Sequence, residues 1–363
     1  MITDFDRYAM SRALALAERG LETTDPNPRV GCVIAKNGRI IGEGWHERAG
    51  EAHAEIAALR AVSESVGGAT VYITLEPCSH YGRTPPCANA LVEARVARVV
   101  FAVYDPDPRV SGQGAEALLQ AGISVETGLM EAEATELNIG FMKRMKRGMP
   151  WVRLKLGMSL DGRTALANGT SQWITGPASR EDVHRWRARS SAVLTGVGTV
   201  LADDPQLNVR LPGNNRRQPL RVILDSRLRT PPDARLFESD GPVIILTATT
   251  VAAAAESLTA CGAQVEIVPG YAGFLDLGSV LQRLGELEVN EVLVEAGPTL
   301  AGELLTGYFV DELLLYVAPK LLGPQARPLL NLPEVQKLEE AWGFALFEVK
   351  RTGDDLRLRL RPH

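Results

Sequence analysis

Three residues that can bind a transition metal constrain the fold of this chain more than any other feature. His53 stands in the sequence His-Ala-Glu, and Cys78 and Cys87 follow with eight residues between them. Imidazole and thiolate are ligands that Zn²⁺ prefers in tetrahedral sites. One histidine and two cysteines leave the fourth position open for water, as in catalytic zinc sites. The chain must therefore fold so that these side chains meet, with Glu55 beside them to carry protons.

The pattern around these residues is that of zinc deaminases, which remove amino groups from pyrimidine and purine rings. Such enzymes carry His-x-Glu followed by Pro-Cys and a second cysteine. The eight-residue gap between Cys78 and Cys87 departs from the usual gap of two. His80 lies in this gap and is the one candidate for a fourth protein ligand, which would make the site structural. A lone His-x-Glu, or two buried cysteines, carries no such meaning.

Length and composition indicate a two-domain globular protein that does not bind nucleic acid. The chain has 363 residues, 45% of them hydrophobic and 23% charged, and its formal net charge is −5. We expect two domains, over residues 1–147 and 148–363, separated at the helix-breaking sequence Gly148-Met-Pro. The short basic run at 143–147 predicts a solvated helix end or linker, because nucleic-acid binding needs an extended basic face.

Cysteine usage and hydropathy predict a cytoplasmic protein. The chain has four cysteines, and with two assigned to metal we expect Cys32 and Cys261 to be buried thiols without a disulfide framework. The first residues do not combine a charged segment with an apolar one, so we expect no signal peptide. No apolar run reaches membrane-spanning length, so we expect no association with a membrane.

Alternating strands and helices in the first half predict a helix–sheet–helix sandwich. Asn37-Gly38 is a strong hairpin signal between the first two strands. His53 and Glu55 are expected at the start of one helix and Cys87 in the first turn of another. Both cysteines are thus expected at helix N-termini, which stabilise thiolate. The predicted strands are 30–35, 39–45, 70–75, 96–104 and 123–126, and the predicted helices include 5–19, 53–66, 114–121 and 131–146.

The second half restarts as a separate α/β domain. Short apolar runs rich in valine, isoleucine and leucine predict buried strands, and the segments between them read as helices or turns. A loop is expected over 199–210. The predicted strands are 151–158, 192–196, 220–225, 243–247, 265–268, 291–295 and 312–318, and the predicted helices include 179–190, 252–261 and 275–287.

Small residues at the ends of three of these strands indicate a ligand site, because ligands of open α/β sheets gather at the carboxyl edge. One strand runs into Gly297 and then a helix, a turn that presents free N–H groups to a phosphate but is also ordinary geometry. The dinucleotide fingerprint Gly-x-Gly-x-x-Gly is absent there. Segments 195–199 and 225–226 end two further strands. Arg187 and Arg210 are candidates for binding a substrate phosphate, or are surface arginines.

Eight motifs spread over nearly the whole chain occur together in one known family. They are Asn-Pro-Arg-Val-Gly at 27–31, Gly-Glu-Gly-Trp-His at 42–46, His-Ala-Glu at 53–55, Glu-Pro-Cys-Ser-His-Tyr-Gly-Arg-Thr-Pro-Pro-Cys at 76–87, Lys-Leu-Gly-Met-Ser-Leu-Asp-Gly-Arg-Thr at 155–164, Ser-Gln-Trp-Ile-Thr at 171–175, Thr-Val-Leu-Ala-Asp-Asp-Pro-Gln-Leu at 199–207 and Glu-Ala-Gly-Pro-Thr-Leu-Ala-Gly at 295–302. On these residues the chain resembles the RibD family of bifunctional riboflavin-biosynthesis proteins, in which the eight-residue gap between the cysteines is usual.

For the first half, the resemblance implies an N-terminal, cytidine-deaminase-like α/β/α domain of three layers, with one Zn²⁺ held by His53, Cys78 and Cys87. This domain would hydrolytically deaminate the 2-amino group of 2,5-diamino-6-ribosylamino-4(3H)-pyrimidinone 5′-phosphate, and Glu55 would carry the proton to the leaving ammonia. The positions that match the family's substrate pocket are Asn27, His46, His80 and Arg83. Some relatives carry lysine in place of Arg83, and either side chain would hold an anion.

For the second half, the resemblance implies a C-terminal, dihydrofolate-reductase-like α/β domain that uses NADPH to reduce the ribosyl chain, giving 5-amino-6-(5-phosphoribitylamino)uracil. By match, the cofactor contacts are Gly157, Trp173, Thr199, Asp203, Ser226, Gly297, Pro298, Thr299 and Leu300. The substrate contacts are Lys155, Ser171, Arg187, Leu207, Arg210 and Glu295. No proton donor is assigned, although Lys155 and Asp203 are ionisable. The implied partners are small phosphoribosyl pyrimidines and further copies of the chain, as a dimer or tetramer.

Two other hypotheses make different predictions. A deaminase of nucleic acids or nucleosides with a non-reductase binding domain predicts a basic face and stacking aromatics, whereas this chain is acidic with 6% aromatic residues. A non-enzymatic protein with structural zinc predicts a fourth protein ligand or loss of the glutamate. Glu55 is present, and His80 is the one candidate for that ligand.

Overall fold

The structure, a computed structural model, describes residues 2–79, 86–107, 110–212, 217–249 and 251–363. The chain forms two compact units, Met1–Gly148 and Met149–His363. Each unit has its own buried apolar clusters and is described separately. Among the described residues, no helix combines the length and the apolar character needed to cross a membrane.

Five strands form the sheet of the first unit: β1 (Gly31–Lys36), β2 (Arg39–Trp45), β3 (Thr70–Ile73), β4 (Arg98–Phe101) and β5 (Ser124–Thr127). Their order across the sheet is β2-β1-β3-β4-β5. β1 runs antiparallel to both neighbours, and β3, β4 and β5 run parallel. Asn37 and Gly38 have positive φ and turn the chain between β1 and β2, as the hairpin signal predicts.

Helices cover both faces of this sheet and give three layers. They are α1 (Asp4–Ala17), α2 (Ala54–Ala61), α3 (Cys87–Glu93), α4 (Gln113–Gln120), α5 (Glu131–Leu137) and α6 (Ile139–Arg147). α2, α3 and α4 pack on one face through a cluster that contains Ala58, Leu91 and Leu118. α1 and α5 pack on the other face through a cluster that contains Met10 and Leu137.

Two glycines of β2 let α2 lie close to the sheet. A Cβ added to Gly44 would lie 2.3 Å from the backbone nitrogen of Ala58, and one added to Gly42 would lie 2.8 Å from the Ala58 oxygen. Any side chain at these positions would push the helix away from the strand. The glycines therefore fix the position of the helix that carries His53 and Glu55 at its start.

The strands of the second unit are β6 (Trp151–Ser159), β7 (Arg163–Ala165), β8 (Ala192–Gly196), β9 (Leu220–Leu224), β10 (Val243–Thr247), β11 (Ala263–Ile267), β12 (Gly270–Tyr271), β13 (Phe274–Leu275), β14 (Glu291–Glu295), β15 (Glu312–Ala318), β16 (Arg327–Pro328), β17 (Phe344–Thr352) and β18 (Asp355–Pro362). Nine form one sheet in the order β11-β10-β9-β8-β14-β6-β15-β18-β17. The first seven run parallel, and β18 and β17 extend the sheet antiparallel. β12 pairs with β13, and β16 with β7.

The large sheet is also covered on both faces. Its helices are α7 (Pro177–Arg189), α8 (Val197–Asp203), α9 (Ala252–Ala260), α10 (Leu277–Glu286) and α11 (Pro298–Thr306). One buried cluster joins α10 and α11 to the sheet through Leu284 and Leu304. A second joins α7, α8 and α9 through Trp186, Val200 and Leu258. Parallel strands buried on both faces explain why their sequences are continuously apolar.

Two helices of the first unit are shorter than predicted. The helix that starts after His53 ends at Ala61 instead of Val66, because Val62 is extended and serines and glycines follow. The single helix predicted over 131–146 is two helices, α5 and α6. Asn138 separates them because its side chain bonds to the backbone of Arg29, accepting from the N–H at 2.8 Å and donating to the oxygen at 2.9 Å.

In the second unit, the loop predicted over 199–210 is wrong in its first part, since α8 extends to Asp203. This segment is helical because Val197 and Val200, three positions apart, are buried against the sheet. The hairpin of β17 and β18 was not predicted. Its signal is the alternation of leucine and arginine over 356–361, in which the arginines Arg359 and Arg361 pair with Glu312.

Candidate active sites

Three candidate metal ligands meet at one point of the first unit. His53 precedes α2 as its N-cap residue, Cys87 is the first residue of α3, and Cys78 lies in the loop after β3. The Nδ1 atom of His53 is 3.5 Å from the Sγ of Cys78 and 3.3 Å from the Sγ of Cys87. All three ligand atoms lie within 4.8 Å of one another. The fold thus brings together three side chains that are up to 34 positions apart in the sequence, at one candidate metal site.

This set of donors fits Zn²⁺. Bond lengths near 2.3 Å to sulfur and 2.1 Å to nitrogen place these atoms about 3.6 Å apart in a tetrahedral site, close to the observed separations. A hydrogen bond with the Cys87 thiol, with others from His53 and the Cys87 N–H, lowers the pKa of the Cys78 thiol well below its ordinary value. Thiolate is the form that binds metal. In the part of the chain that the structure describes, no other cluster of such side chains has this geometry.

Glu55 lies directly beside the ligands. Its side chain is buried in the first turn of α2, and its carboxyl group interacts with the Cys87 thiol. Burial, reinforced by the charge of Cys78, raises the pKa of Glu55 to about 7. A carboxyl group with this pKa takes up and releases protons near neutral pH, which is the property that a general acid–base needs.

The prediction that both cysteines lie at helix N-termini is right for Cys87 and wrong for Cys78, which belongs to a loop. The sulfur of Cys78 nevertheless accepts a hydrogen bond from the Cys87 N–H at 3.3 Å. The free N–H groups at the start of α3 therefore act on both sulfurs, which is the stabilisation of thiolate that the sequence predicts.

The loop of Cys78 is held in place by Glu76, which is buried. The Glu76 carboxylate accepts three backbone hydrogen bonds, from the N–H groups of Asp105, Gly112 and Ala115 at 3.2, 3.0 and 3.1 Å. The start of α4 also touches this loop directly, since a Cβ added to Gly114 would lie 1.9 Å from the oxygen of Pro77. The two residues before Cys78 are thus both held in place, Glu76 by its hydrogen bonds and Pro77 by the contact with Gly114.

Two of the four residues predicted to bind the deaminase substrate lie together next to His53. The Asn27 amide nitrogen is 3.1 Å from Nε2 of His46, and Nδ1 of His46 is 3.0 Å from the oxygen of Ala52. Burial lowers the pKa of His46, so its ring is neutral, with Nδ1 donating to Ala52 and Nε2 accepting from Asn27. The rings of His46 and His53 are 5.7 Å apart between centroids. The other two predicted residues, His80 and Arg83, lie outside the described residues.

The second unit contains a cleft of about 1060 Å³ at the carboxyl ends of β8, β9 and β14. This volume is at the upper end of the range for small-molecule pockets and suits a dinucleotide. α11 starts at this cleft with Gly297 as its N-cap and no side-chain cap, which leaves its first N–H groups available to a phosphate. The predicted ligand contacts that line the cleft are Lys155, Gly157, Ser171, Thr199, Asp203, Ser226, Glu295, Gly297, Pro298, Thr299 and Leu300.

Two of the lining residues, Lys155 and Glu295, form an ion cluster with Arg187. Arg187 donates to the two carboxylate oxygens of Glu295 at 2.5 and 3.0 Å, and the Nζ atom of Lys155 is 3.7 Å from the same carboxylate. Burial opposes ionisation of Glu295, but the charges of Arg187 and Lys155 outweigh it and lower the pKa of Glu295 to about 2. Glu295 is therefore an anion at any physiological pH.

Besides Arg187, which reaches the cleft only through its ion pair with Glu295, three residues that were predicted to contact reductase ligands do not line the cleft. The ring of Trp173 is exposed and stacks with the guanidinium of Arg180, whose central carbon lies 4.4 Å from the ring centroid. Leu207 is buried in the core. Arg210 is exposed and donates to the side chain of Asn208 at 2.5 Å. Other residues of the same motifs line the cleft, but these three side chains do not.

Other residues line the cleft without having been predicted, among them Thr164, Asn168, Arg227, Arg229 and Arg327. Arg227 and Arg229 directly follow the predicted Ser226, and their position just after a strand end is a signal that could have found them. Arg327 comes from β16, far along the chain, and only the pairing of β16 with β7 brings it near. No local sequence pattern indicates that contact.

A histidine–cysteine–cysteine site beside a buried glutamate is the arrangement of a zinc deaminase, and the α/β unit that follows has a cleft large enough for a dinucleotide. Two family models match the chain in the same order. The model described as "Cytidine and deoxycytidylate deaminase zinc-binding region" matches residues 3–103, and the model described as "RibD C-terminal domain" matches residues 150–358. The chain belongs to the RibD family of riboflavin biosynthesis proteins.

Relatives match over the full length of the chain. It is 51% identical to RibD of Escherichia coli (strain K12) over 368 residues, which cover 98% of this chain and 99% of that protein. Identity to RibD of Haemophilus influenzae is 47%, over 98% of this chain and 97% of that protein. The solved structure of Acinetobacter baumannii RibD, form 1, is similar with a TM-score of 0.92 at 47% identity, covering 99% of each chain. A solved Thermotoga maritima diaminohydroxyphosphoribosylaminopyrimidine deaminase/5-amino-6-(5-phosphoribosylamino)uracil reductase gives a TM-score of 0.88 at 34% identity, covering 99% of each chain.

These comparisons confirm the predicted fold class, with a cytidine-deaminase-like N-terminal domain and a dihydrofolate-reductase-like C-terminal domain. They also confirm that the chain is an enzyme, a bifunctional deaminase and reductase of riboflavin biosynthesis. Its cofactors are Zn²⁺ and NADPH. The alternative of a nucleic-acid deaminase with a non-reductase binding domain is not supported.

Proposed function

We propose that the first domain deaminates 2,5-diamino-6-ribosylamino-4(3H)-pyrimidinone 5′-phosphate by hydrolysis, and that the second then reduces the product with NADPH to 5-amino-6-(5-phosphoribitylamino)uracil. The proposed domains are residues 1–147 and 148–363. The observation that carries this proposal is that each unit holds the groups for one step, the ligand cluster with Glu55 in the first and the cleft with its ion cluster in the second. The solved Thermotoga maritima relative, at 34% identity, is named as both a deaminase and a reductase.

In the deaminase site, His53, Cys78 and Cys87 are the proposed zinc ligands. When bound, Zn²⁺ supplies a Lewis acid that makes water acidic enough to react near neutral pH. Glu55 accepts a proton from the attacking water and delivers it to the amine that leaves, so that one C–N bond breaks, one C–O bond forms and ammonia is released. The buried position of Glu55 and its pKa of about 7 support this role, because both half-steps then occur near neutral pH.

Asn27 and His46 are proposed to hold the pyrimidinone ring. The Asn27 amide nitrogen is already engaged by Nε2 of His46, and among the described residues no donor bonds to the Asn27 side-chain oxygen, which can accept from a ring N–H or an amino group. The neutral His46 fixes this orientation of the amide through its own bond to Ala52. His80 and Arg83 are the further proposed contacts, with the guanidinium of Arg83 as the partner of an anion.

In the reductase cleft, the proposed cofactor contacts are Gly157, Trp173, Thr199, Asp203, Ser226, Gly297, Pro298, Thr299 and Leu300. The proposed substrate contacts are Lys155, Ser171, Arg187, Leu207, Arg210 and Glu295. The lining of the cleft supports all of these except Trp173, Arg187, Leu207 and Arg210. Arg187 is tied to the lining through its ion pair with Glu295. The ionised Glu295 holds two cations in fixed positions, which suits recognition of ribosyl hydroxyl groups by charge-assisted hydrogen bonds.

We further propose that the protein is cytoplasmic, that it acts on small phosphoribosyl pyrimidines and not on nucleic acid or membranes, and that it assembles with copies of itself as a dimer or tetramer. Support for assembly comes from β17, an edge strand of the large sheet on which Leu346 and Val349 are exposed. A long edge strand with exposed apolar side chains favours pairing with another chain. Sedimentation of the purified protein as a monomer at micromolar concentration would contradict assembly.

The two activities can be tested in one coupled assay. Zinc-loaded protein is given the diamino-pyrimidinone ribotide with and without NADPH, and ammonia release and nicotinamide absorbance are followed together. We expect ammonia without NADPH, and oxidation of NADPH only after the deaminated product has formed. Ammonia without any oxidation of NADPH would contradict the proposed reductase substrate. Absence of both signals would contradict the proposed function as a whole.

A further inference from the structure

We propose that Arg227 and Arg229 form the subsite for the 2′-phosphate of NADPH and thereby set the preference for NADPH over NADH. The inference rests on the reductase function proposed above. NADPH differs from NADH by one phosphate on the adenosine ribose, so any preference requires cations at the place where that group lies. Neither arginine belongs to a motif or to a predicted contact.

Both arginines are available to an anion. Each lines the cleft and is exposed, and among the described residues neither guanidinium makes a hydrogen bond or an ion pair. Lys155, in the same cleft, is instead engaged by Glu295. A free guanidinium carries five N–H donors in a planar arrangement that matches phosphate oxygens. Two of them in one cleft suffice to neutralise a dianionic phosphate.

The turn that carries the arginines is fixed before any ligand binds. Asp225 is fully buried and accepts hydrogen bonds from the N–H and the hydroxyl of Thr230, each at 2.7 Å. Leu228, between the two arginines, is buried in the core of the unit. Anchors before, between and after the arginines hold both at the mouth of the cleft. Such preorganisation lowers the entropic cost of binding.

The lining near this turn also suits an adenine ring. Leu224 ends β9, and Phe274 and Leu275 of β13 contribute apolar surface to the same cleft. The ribbon of β12 and β13 lies close to this end of the sheet, because a Cβ on Gly270 would be 3.3 Å from the Cβ of Ala248, just past β10. β10 is the hydrogen-bonded neighbour of β9. An apolar surface beside two cations matches an adenosine that carries a 2′-phosphate.

The ion cluster that we assign to the reacting end lies on the other side. Glu295 is on β14, and the order β9-β8-β14 places it two strands from the end of β9. Two strand spacings are about 10 Å. A dinucleotide lying across these strand ends therefore brings its adenosine to the arginines when its nicotinamide is near Glu295 and Lys155.

A third arginine in the lining provides a matched control. Arg327 comes from β16, on a different wall of the cleft, and among the described residues it too has no ion pair. Arg327 has the same charge as Arg227 and Arg229 and lines the same cleft, but it lies at a different position. If any nearby cation served equally, Arg327→Gln would weaken binding of the 2′-phosphate as much as changes at Arg227 and Arg229.

The test uses calorimetric titration of the full-length protein with 2′,5′-ADP, and with 5′-ADP as the probe that lacks the 2′-phosphate. Arg227→Gln and Arg229→Gln are measured singly and together, beside Arg327→Gln. We expect the double variant to bind 2′,5′-ADP about tenfold or more weakly, with 5′-ADP changed less than about twofold. Arg327→Gln should change the affinity for the two probes by the same factor. Because both side chains are exposed, the fold should tolerate these changes, and the melting temperature checks this.

Kinetics supply the second readout. The ratio of kcat/KM for NADPH over NADH should fall by the same factor in the double variant, while the KM of the pyrimidine substrate stays constant. Unchanged affinity for 2′,5′-ADP in the double variant would overturn the assignment, as would a loss confined to Arg327→Gln. A rise in substrate KM alone would assign the arginines to the substrate phosphate instead. Wild-type protein that binds neither NADPH nor 2′,5′-ADP would contradict the proposed reductase function itself.

Discussion

The two sites of this protein each contain a glutamate whose carboxyl group is shielded from solvent, and their surroundings shift the two pKa values in opposite directions. Glu55 has a pKa raised to about 7, because burial and the charge of Cys78 both disfavour its ionised form. Glu295 is held near 2, because Arg187 and Lys155 overcome the effect of burial. The charges of nearby residues, more than the degree of burial, decide whether such a carboxyl group exchanges protons near neutral pH.

The difference matches the two kinds of chemistry. A hydrolytic deamination needs a group that accepts a proton and returns it within one turnover, and a carboxyl group with a pKa near 7 does this at little cost. A reductase in which the cofactor brings the hydride needs fixed charges that orient the substrate instead. Glu295 supplies one such charge and holds two cations beside it. We therefore expect the same chemical change, glutamate to glutamine, to have different consequences at the two sites.

The largest effect is expected for Glu55→Gln. The amide has the same shape but cannot carry a proton, so ammonia release should fall by about a thousandfold. Zinc content should remain one per chain, and NADPH oxidation with supplied deaminated substrate should be unchanged. Glu51→Gln, an exposed glutamate just before His53, is the matched control and should retain activity. Substantial turnover by Glu55→Gln would show that another group carries the proton.

A smaller effect is expected for Glu295→Gln. Its loss leaves Arg187 and Lys155 without their shared anion, so substrate would be bound with two uncompensated cations out of position. We expect kcat/KM of the reductase to fall roughly 10- to 100-fold, with ammonia release unchanged. Glu303→Gln removes an exposed carboxylate from the lining of the same cleft and should change the rate little. Equal losses in both variants would mean that the total charge of the cleft, not the ion cluster, matters.

Glu295→Gln also tests the lowered pKa of Glu295 through the pH dependence of the free energy of unfolding. The folded pKa of Glu295, about 2, lies below its ordinary value of 4.5, so its contribution to stability is complete above pH 4.5 and is lost as the pH falls toward 2. The difference in free energy of unfolding between wild type and Glu295→Gln should therefore shrink by roughly 2–3 kcal/mol over that window. Unfolding of the second unit can be followed by fluorescence of the buried Trp186. A difference that stays constant with pH would refute the depressed pKa.

How far the sequence predicts each site follows from how each is built. The zinc ligands and Glu55 belong to two short motifs whose chemistry is local, so residue type and spacing indicate them directly. The cleft is assembled from strand ends that are distant in sequence. Motif positions there identified Glu295, but not Arg327, and they included Leu207, which is buried in the core. Which side of a strand end a residue faces depends on tertiary packing.

The differences between the predicted and the observed secondary structure also arise from tertiary contacts between residues that are distant in sequence. The segment Val-Gly-Thr-Val-Leu-Ala-Asp at 197–203 has weak helix propensity, and a loop is predicted from Thr199 onward. Burial of Val197 and Val200 nevertheless makes the segment helix α8. Asn138 breaks a helix that looks continuous in sequence, because it bonds to Arg29, more than a hundred positions earlier in the chain. Strands in the parallel core were predicted well, since burial on both faces leaves a continuous apolar run.

The smallest of these effects is expected at a third glutamate, which extends the comparison. Glu76 neither exchanges a proton in the proposed mechanism nor touches substrate; it accepts three backbone N–H bonds and so positions the loop of Cys78. In Glu76→Gln, one of the two acceptor oxygens becomes a donor that faces N–H groups. We expect the affinity for zinc, measured by competition with a chelator, to fall about tenfold, and deamination to recover in excess zinc.

Glu116→Gln, on the exposed side of α4, serves as the control for a charge change on the same helix. Recovery in excess zinc separates this role from that of Glu55, whose loss no amount of metal should repair. If Glu76→Gln binds zinc as tightly as wild type, the close contact of Gly114 with Pro77 holds the loop without the carboxylate. If added zinc fails to restore turnover, Glu76 does more than position Cys78, and the role proposed for Glu76 is wrong.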